Sequence, residues 1–162
     1  MNLPPNERTT TCPRCGAALG EAPNCQALYD ELSLYTITRG REEFIHQHAV
    51  DAYAAQHVGE DTKPIALAAA LIGLFLFAEK NYSGVRVQQV HMQMGNKMKQ
   101  WPLFPAPKHR AELTVADVLR TPEGAERDEM IRRWARVVWE MWSERHAEVE
   151  ALFQSQIASR SS

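Results

Sequence analysis

The chain is short of several things. Its 162 residues include only three cysteines, and 18 Lys+Arg against 20 Asp+Glu leave a formal net charge of −2. An odd, small cysteine count excludes a fully paired disulfide framework. So balanced a charge argues against a broad, non-specific nucleic-acid binder. Long hydrophobic runs are missing too. The apolar stretch Ile65 to Ala78 is fourteen residues, about 21 Å as a helix against the roughly 30 Å hydrocarbon core of a bilayer. It reads as a buried central helix, and no membrane partner is expected. Met1 to Thr11 is polar, without the charged start and apolar stretch of a secretory leader. The expected location is therefore cytoplasmic, where thiols stay reduced. No nucleophile elbow, phosphate loop or dinucleotide-binding glycine motif occurs.

What is present is the pattern of a helical domain. Hydrophobic residues at 44% and charged residues at 23% suit one globular unit. Asn24 is placed to cap a helix from Cys25 to about Thr36, with Leu28, Leu32 and Tyr35 on one face. Gly40 suits a left-handed turn, after which a second helix is expected from Arg41 to His57, with Glu42 and Glu43 in its first turn. Thr62 and Pro64 open the apolar helix to about Lys80, and Ser83 caps a fourth to about Lys99. Trp101 to Pro107 is too proline-rich for a helix. Thr114 to Asp117 resembles a capping box, and Thr121-Pro122 opens one long helix to about Ile157. The fold class is all-α: a compact bundle of four to five main helices. The expected division is a flexible arm at 1–11, a single domain at 12–157 whose 12–25 knuckle packs on the 25–57 hairpin, and a tail at 158–162.

Cys12-Pro-Arg-Cys15-Gly is the most specific motif. Two cysteines three apart, followed by a glycine, present both thiolates to one tetrahedral ion, and Cys25 adds a third soft ligand. In a reducing compartment zinc is the expected cofactor. A redox pair would sit after a strand, and none precedes it. With no fourth cysteine, closure needs a histidine. If the helices at 25–36 and 41–57 form an antiparallel hairpin, His57 lies level with Cys25, while His46 and His48 lie roughly 14–16 Å away near the turn. The expected ligands are Cys12, Cys15, Cys25 and His57, with His48 or His146 as substitutes for the last.

The segment His46 to His57 holds three of the six histidines. His46, Val50, Tyr53 and His57 share one stripe, and His48 and Asp51 are spaced to hydrogen-bond. One reading makes His46, Asp51 and Tyr53 an acid–base site. The blander one makes Val50 and Tyr53 core and the histidines a ligand plus polar rim. Elsewhere, Val85 to Arg110 carries five basic residues and no acid, whereas Glu21 to Asp61 carries eight acids and two bases. The 86–110 segment is thus a nucleic-acid candidate through Lys97 and Lys99, though paired faces within the fold explain the asymmetry as well. Trp134 and Trp142 share the core stripe of the last helix. Trp139, turned by about 140°, is the expected interface residue for a protein partner or a homodimer.

Several elements occur together in order: CPxCG near the start, H-x3-V-D-A-Y-x2-Q-H, an apolar helix with Ile-Gly-Leu, a proline-rich segment before L-T-V-A-D-V, and W-A-R-x-V-W-E-x-W. Over roughly residues 12 to 150 the chain resembles an uncharacterised bacterial family known only as a domain of unknown function. The resemblance implies a small, soluble helical protein with a metal site and no assigned activity. It also implies a histidine before Leu-Ile-Gly where this chain has Ala70, so a site built on that histidine is absent here. The leading functional expectation is a zinc-stabilised binding or regulatory module. The rival is a metal-dependent, hydrolase-like enzyme with an open zinc position served by His46 or Tyr53.

Overall fold

The computed structural model describes residues 10–94 and 100–157. Lys97 and Lys99, the tail at 158–162 and nearly all of the 1–11 arm lie outside them. The described residues form seven α-helices: α1 (Cys25–Ile37), α2 (Ile45–Gln56), α3 (Pro64–Lys80), α4 (Gly84–Met94), α5 (Val115–Arg120), α6 (Ala125–Met141) and α7 (His146–Gln156). The nearest approach to β-structure among them is an isolated bridge, Thr11 to Ala18. The all-α class holds. None of these helices is long and apolar enough to cross a membrane.

The helix α2 is the hub, touching α1, α3, α4 and α6. Its sequence is alanine-rich, so neighbouring helices approach closely on several sides. Ala49, Ala52 and Ala55 are all buried. The apolar helix α3 packs beside it with Leu67, Leu71, Ile72, Leu74 and Leu76 fully enclosed, as the Ile65–Ala78 run predicts.

Local signals place most helix ends. The side chain of Asn24 accepts from the Ala27 amide at 2.9 Å. Thr114 and Asp117 form a reciprocal capping box, the Thr114 amide donating to the Asp117 carboxylate at 2.8 Å. Two boundaries differ from expectation. First, α2 begins at Ile45 rather than Arg41, because the left-handed residue is Phe44 (φ 49°) and not Gly40. That turn releases the Glu43 carbonyl to accept from the Gly84 amide at 2.6 Å, and the Glu43 carboxylate to pair with Arg132 at 2.7 Å. Glu42 and Glu43 thus precede the helix.

Second, the expected helix from 121 to 157 is two helices. It starts at Ala125, ends at Met141 and passes through a 3₁₀ turn at Ser143–Arg145 into α7. The break corrects the reading of Trp139. A straight helix would point it outward; instead α3 and the first residue of α7 cover it, and Trp139 is 1% exposed. His146 stacks on its indole at 3.7 Å and hydrogen-bonds its carbonyl at 2.8 Å, while the indole N–H donates to Glu79 at 2.9 Å. Trp139 is a core residue, and His146 is its cover. Trp134 and Trp142 are buried as expected.

The junction of α2 and α4 leaves no room for a side chain at Gly84. A Cβ there lies 1.8 Å from the Phe44 carbonyl oxygen and 2.7 Å from that of Glu43, both backbone atoms. Gly84→Ala is expected to lower stability by about 2–3 kcal/mol through forced overpacking. Gly40→Ala, with nothing within 4 Å, is expected to stay within about 0.5 kcal/mol of the parent. Urea unfolding of the two variants checks the contrast.

Candidate metal centre

The knuckle folds by its own backbone. The Cys12 amide donates to the Ala17 carbonyl at 2.9 Å, and the Gly16 amide returns to the Cys12 carbonyl at 2.8 Å. Gly16 takes a φ of +83°, which a side chain disfavours. This turn points the Ala17 amide at the Cys15 sulfur, 3.4 Å away. Cys25 arrives from the first residue of α1, and His57 from the residue that ends α2.

Sγ of Cys12, Cys15 and Cys25 and a ring nitrogen of His57 all lie within 4.8 Å of one another. Zn–S bonds of about 2.3 Å in a tetrahedron set S···S separations near 3.8 Å, and Cys15 and Cys25 stand 3.7 Å apart. The histidine is in the ligand tautomer: Nδ1–H donates to the Tyr53 carbonyl at 2.7 Å, leaving buried Nε2 without a partner. All three cysteines are buried and free. The donor set and its spacing fit a tetrahedral ion, and these four residues are placed where they could hold one.

The thiols respond to one another strongly. The contact with Cys25, with lesser contributions from His57 and the Ala17 amide, pulls the Cys15 thiol down to about 4 against the opposing effect of burial. The same contact, with burial, pushes Cys25 up. Three clustered sulfurs cannot all ionise without a cation among them, and a divalent ion would supply it.

Two further groups orient the imidazole. Tyr53 stacks on His57 at 3.9 Å, and Tyr29 stacks on Tyr53 at 4.2 Å, so a three-ring pile ties α1 to α2 behind the ligand. Burial, then the sulfurs of Cys25, Cys12 and Cys15, raise the Tyr53 phenol above its ordinary value. Arg14 donates to the His57 carbonyl at 3.0 Å, so the knuckle grips the backbone of its own candidate fourth ligand. A cavity of about 710 Å³ opens over Cys12, Cys25, Tyr53 and His57.

The remaining histidine-helix candidates sit elsewhere. His46 is at the opposite end of α2, its Nδ1 hydrogen-bonded with Thr36 at 2.8 Å. His48 and Asp51 do not pair. The His48 ring lies on Phe77 at 4.2 Å with Nδ1 unpartnered. Asp51 accepts from Gln47 at 3.1 Å and faces Gly73 of α3 and His91 of α4. Burial pushes its carboxyl well up, opposed by the Gln47 hydrogen bond. His146 is committed to Trp139. Sequence reasoning missed Arg14, Tyr29 and His91. Only Tyr29 carried a signal, lying one helical turn from Cys25 and so on its side of α1.

A family model described as a family of unknown function (DUF5946) matches residues 10–143. No curated protein and no solved structure matches the chain.

Burial, followed by Arg132 and Arg136 of α6, lowers the His48 imidazole from 6.5 to about 4. Between these values the unfolded chain binds more protons than the folded one, so stability falls as pH drops from 6.5 towards 4. Full loss of this contribution amounts to roughly 3 kcal/mol. His46 and His91, also lowered by burial, act in the same direction, and the raised Asp51 acts oppositely. Urea unfolding at pH 7 and pH 5 is expected to show a smaller acid loss in His48→Leu than in the parent. Equal losses mean that His48 does not titrate in this window.

Proposed function

The chain belongs to DUF5946, and we propose that it is a zinc-stabilised helical binding or regulatory module, with the ion in a structural role. One observation carries this reading: the protein itself supplies four donors, with the imidazole nitrogen left free for the fourth position. Four protein ligands fill a tetrahedral ion, which is the mark of structural zinc. The ligands also come from three separate segments: the 12–15 turn, the start of α1 and the end of α2. An ion there ties the knuckle to the hairpin, so its binding energy becomes folding energy.

The rival reading, a metal-dependent hydrolase, draws on the cavity beside the cluster. It needs an open coordination position and a proton carrier. His46 stands about 16 Å along α2 from His57. Tyr53 faces the site with its ring stacked on His57 and a phenol made a weaker acid by burial. His46 is too far away, and the Tyr53 phenol stays protonated, so neither brings a base to the cluster at neutral pH. A zinc-edge absorption spectrum separates the two: three sulfurs and one nitrogen for the module, an added oxygen for the enzyme.

The purified chain is expected to hold one zinc ion. Cys15→Ser is expected to lose that zinc and to melt roughly 10 °C lower, and chelator treatment of the parent is expected to do the same. Melting unchanged by both treatments, with no zinc found by elemental analysis, defeats the proposal.

A further inference from the structure

A second concavity, of about 270 Å³, lies between the knuckle, the end of α2 and the segment 106–111. Its lining includes Arg14, Lys108, His109 and Arg110 and no acidic residue. Two of these cations are held by backbone on opposite sides. Arg110 donates to the Pro13 carbonyl at 2.7 Å, and Arg14 to the His57 carbonyl at 3.0 Å. Glycines make room for both: a Cβ on Gly16 lies 3.1 Å from the Arg110 guanidinium, and one on Gly59 lies 2.4 Å from that of Arg14. Each guanidinium keeps donors beyond these bonds. Arg14 also pairs with Asp61 at 3.2 Å, but Asp61 is 81% exposed, so solvent screens the pair. Lys108 and His109 form no hydrogen bond or ion pair among the described residues.

The adjoining groove, of about 390 Å³, shares His109 and Arg110 but sets Glu112 and Glu140 against Arg133 and Arg136. Two carboxylates offset most of the three guanidiniums there, whereas no carboxylate lines the smaller cavity. We infer that the smaller cavity is a binding site for the phosphoryl group of a small molecule. The charge count favours phosphoryl over carboxylate. Three permanent cations, Arg14, Lys108 and Arg110, line it; a phosphoryl group brings about −1.5 to −2 at neutral pH and three acceptor oxygens, a monocarboxylate about half that charge. The small volume favours a small molecule over a polynucleotide, which needs an extended track.

The test uses the full chain as purified, with inorganic phosphate as the probe and sodium chloride at matched ionic strength as the reference. Phosphate is expected to raise the melting temperature saturably, with a midpoint on the order of millimolar. Lys108→Gln/His109→Asn is expected to weaken that midpoint by roughly tenfold with zinc content unchanged. Arg110→Gln, which also loses the bond to Pro13, serves as the second variant and is expected to weaken it as well. The inference falls if phosphate does no more than chloride, or if both variants respond as the parent does. It falls equally if a short single-stranded DNA binds and phosphate does not displace it. The titration needs no metal to be read, so this inference and the zinc proposal fail independently.

Discussion

The last turn of α2 is held from every side, and the candidate centre depends on that clasp. The indole of Trp142 donates to the Ala55 carbonyl at 3.0 Å, and that of Trp134 to the Gln56 side chain at 2.9 Å. The Gln56 amide passes the constraint on to the Leu113 carbonyl at 2.7 Å, which fixes the approach to α5. Such buried bonds between an indole or amide and a single acceptor are costly to leave unmade, so they define one position for the helix end. His57 follows immediately, with Arg14 on its carbonyl and Tyr53 on its ring. A candidate ligand needs placement to a fraction of an ångström, and for His57 it comes from three tryptophan- and glutamine-mediated bonds.

The same helix carries two unlike environments. At its end the sulfurs and the imidazole gather around a space that fits an ion. About two turns earlier, His48 and Asp51 are buried in neutral-favouring surroundings, with an oxygen of Asp51 and a nitrogen of His48 left without partners. The carboxyl presses against the place where Gly73 has no side chain. Buried polar groups of this kind rigidify a core when satisfied and make it sensitive to protonation when they are not.

Much of this was legible in the chain itself, because the signals were local or periodic. Asn24, Thr114 with Asp117, and Pro64 mark helix starts through short-range hydrogen bonds or fixed torsions, and each marks a start or first turn in the structure. The metal candidates were legible because thiols at C-x-x-C spacing have few structural uses, and helical rise alone then ranked the histidines. The misreadings were non-local. Phe44 adopts a left-handed torsion only because Gly84 lets the Glu43 and Phe44 carbonyls approach α4. The break after Met141 has no proline or glycine to announce it; Trp142 instead reaches the Ala55 carbonyl across 87 residues of sequence. Whether His48 faces Asp51 or Phe77 is likewise decided by α3, not by spacing on α2.

The break at Trp142 coincides with the end of the family match, which stops at residue 143, so α7 lies outside the matched residues. Yet α7 supplies His146 over Trp139 and Phe153 against Phe75. Cutting the chain at that hinge would uncover both rings, so the aromatic side of α3 and α6 owes its burial to a helix reached only through the 3₁₀ turn.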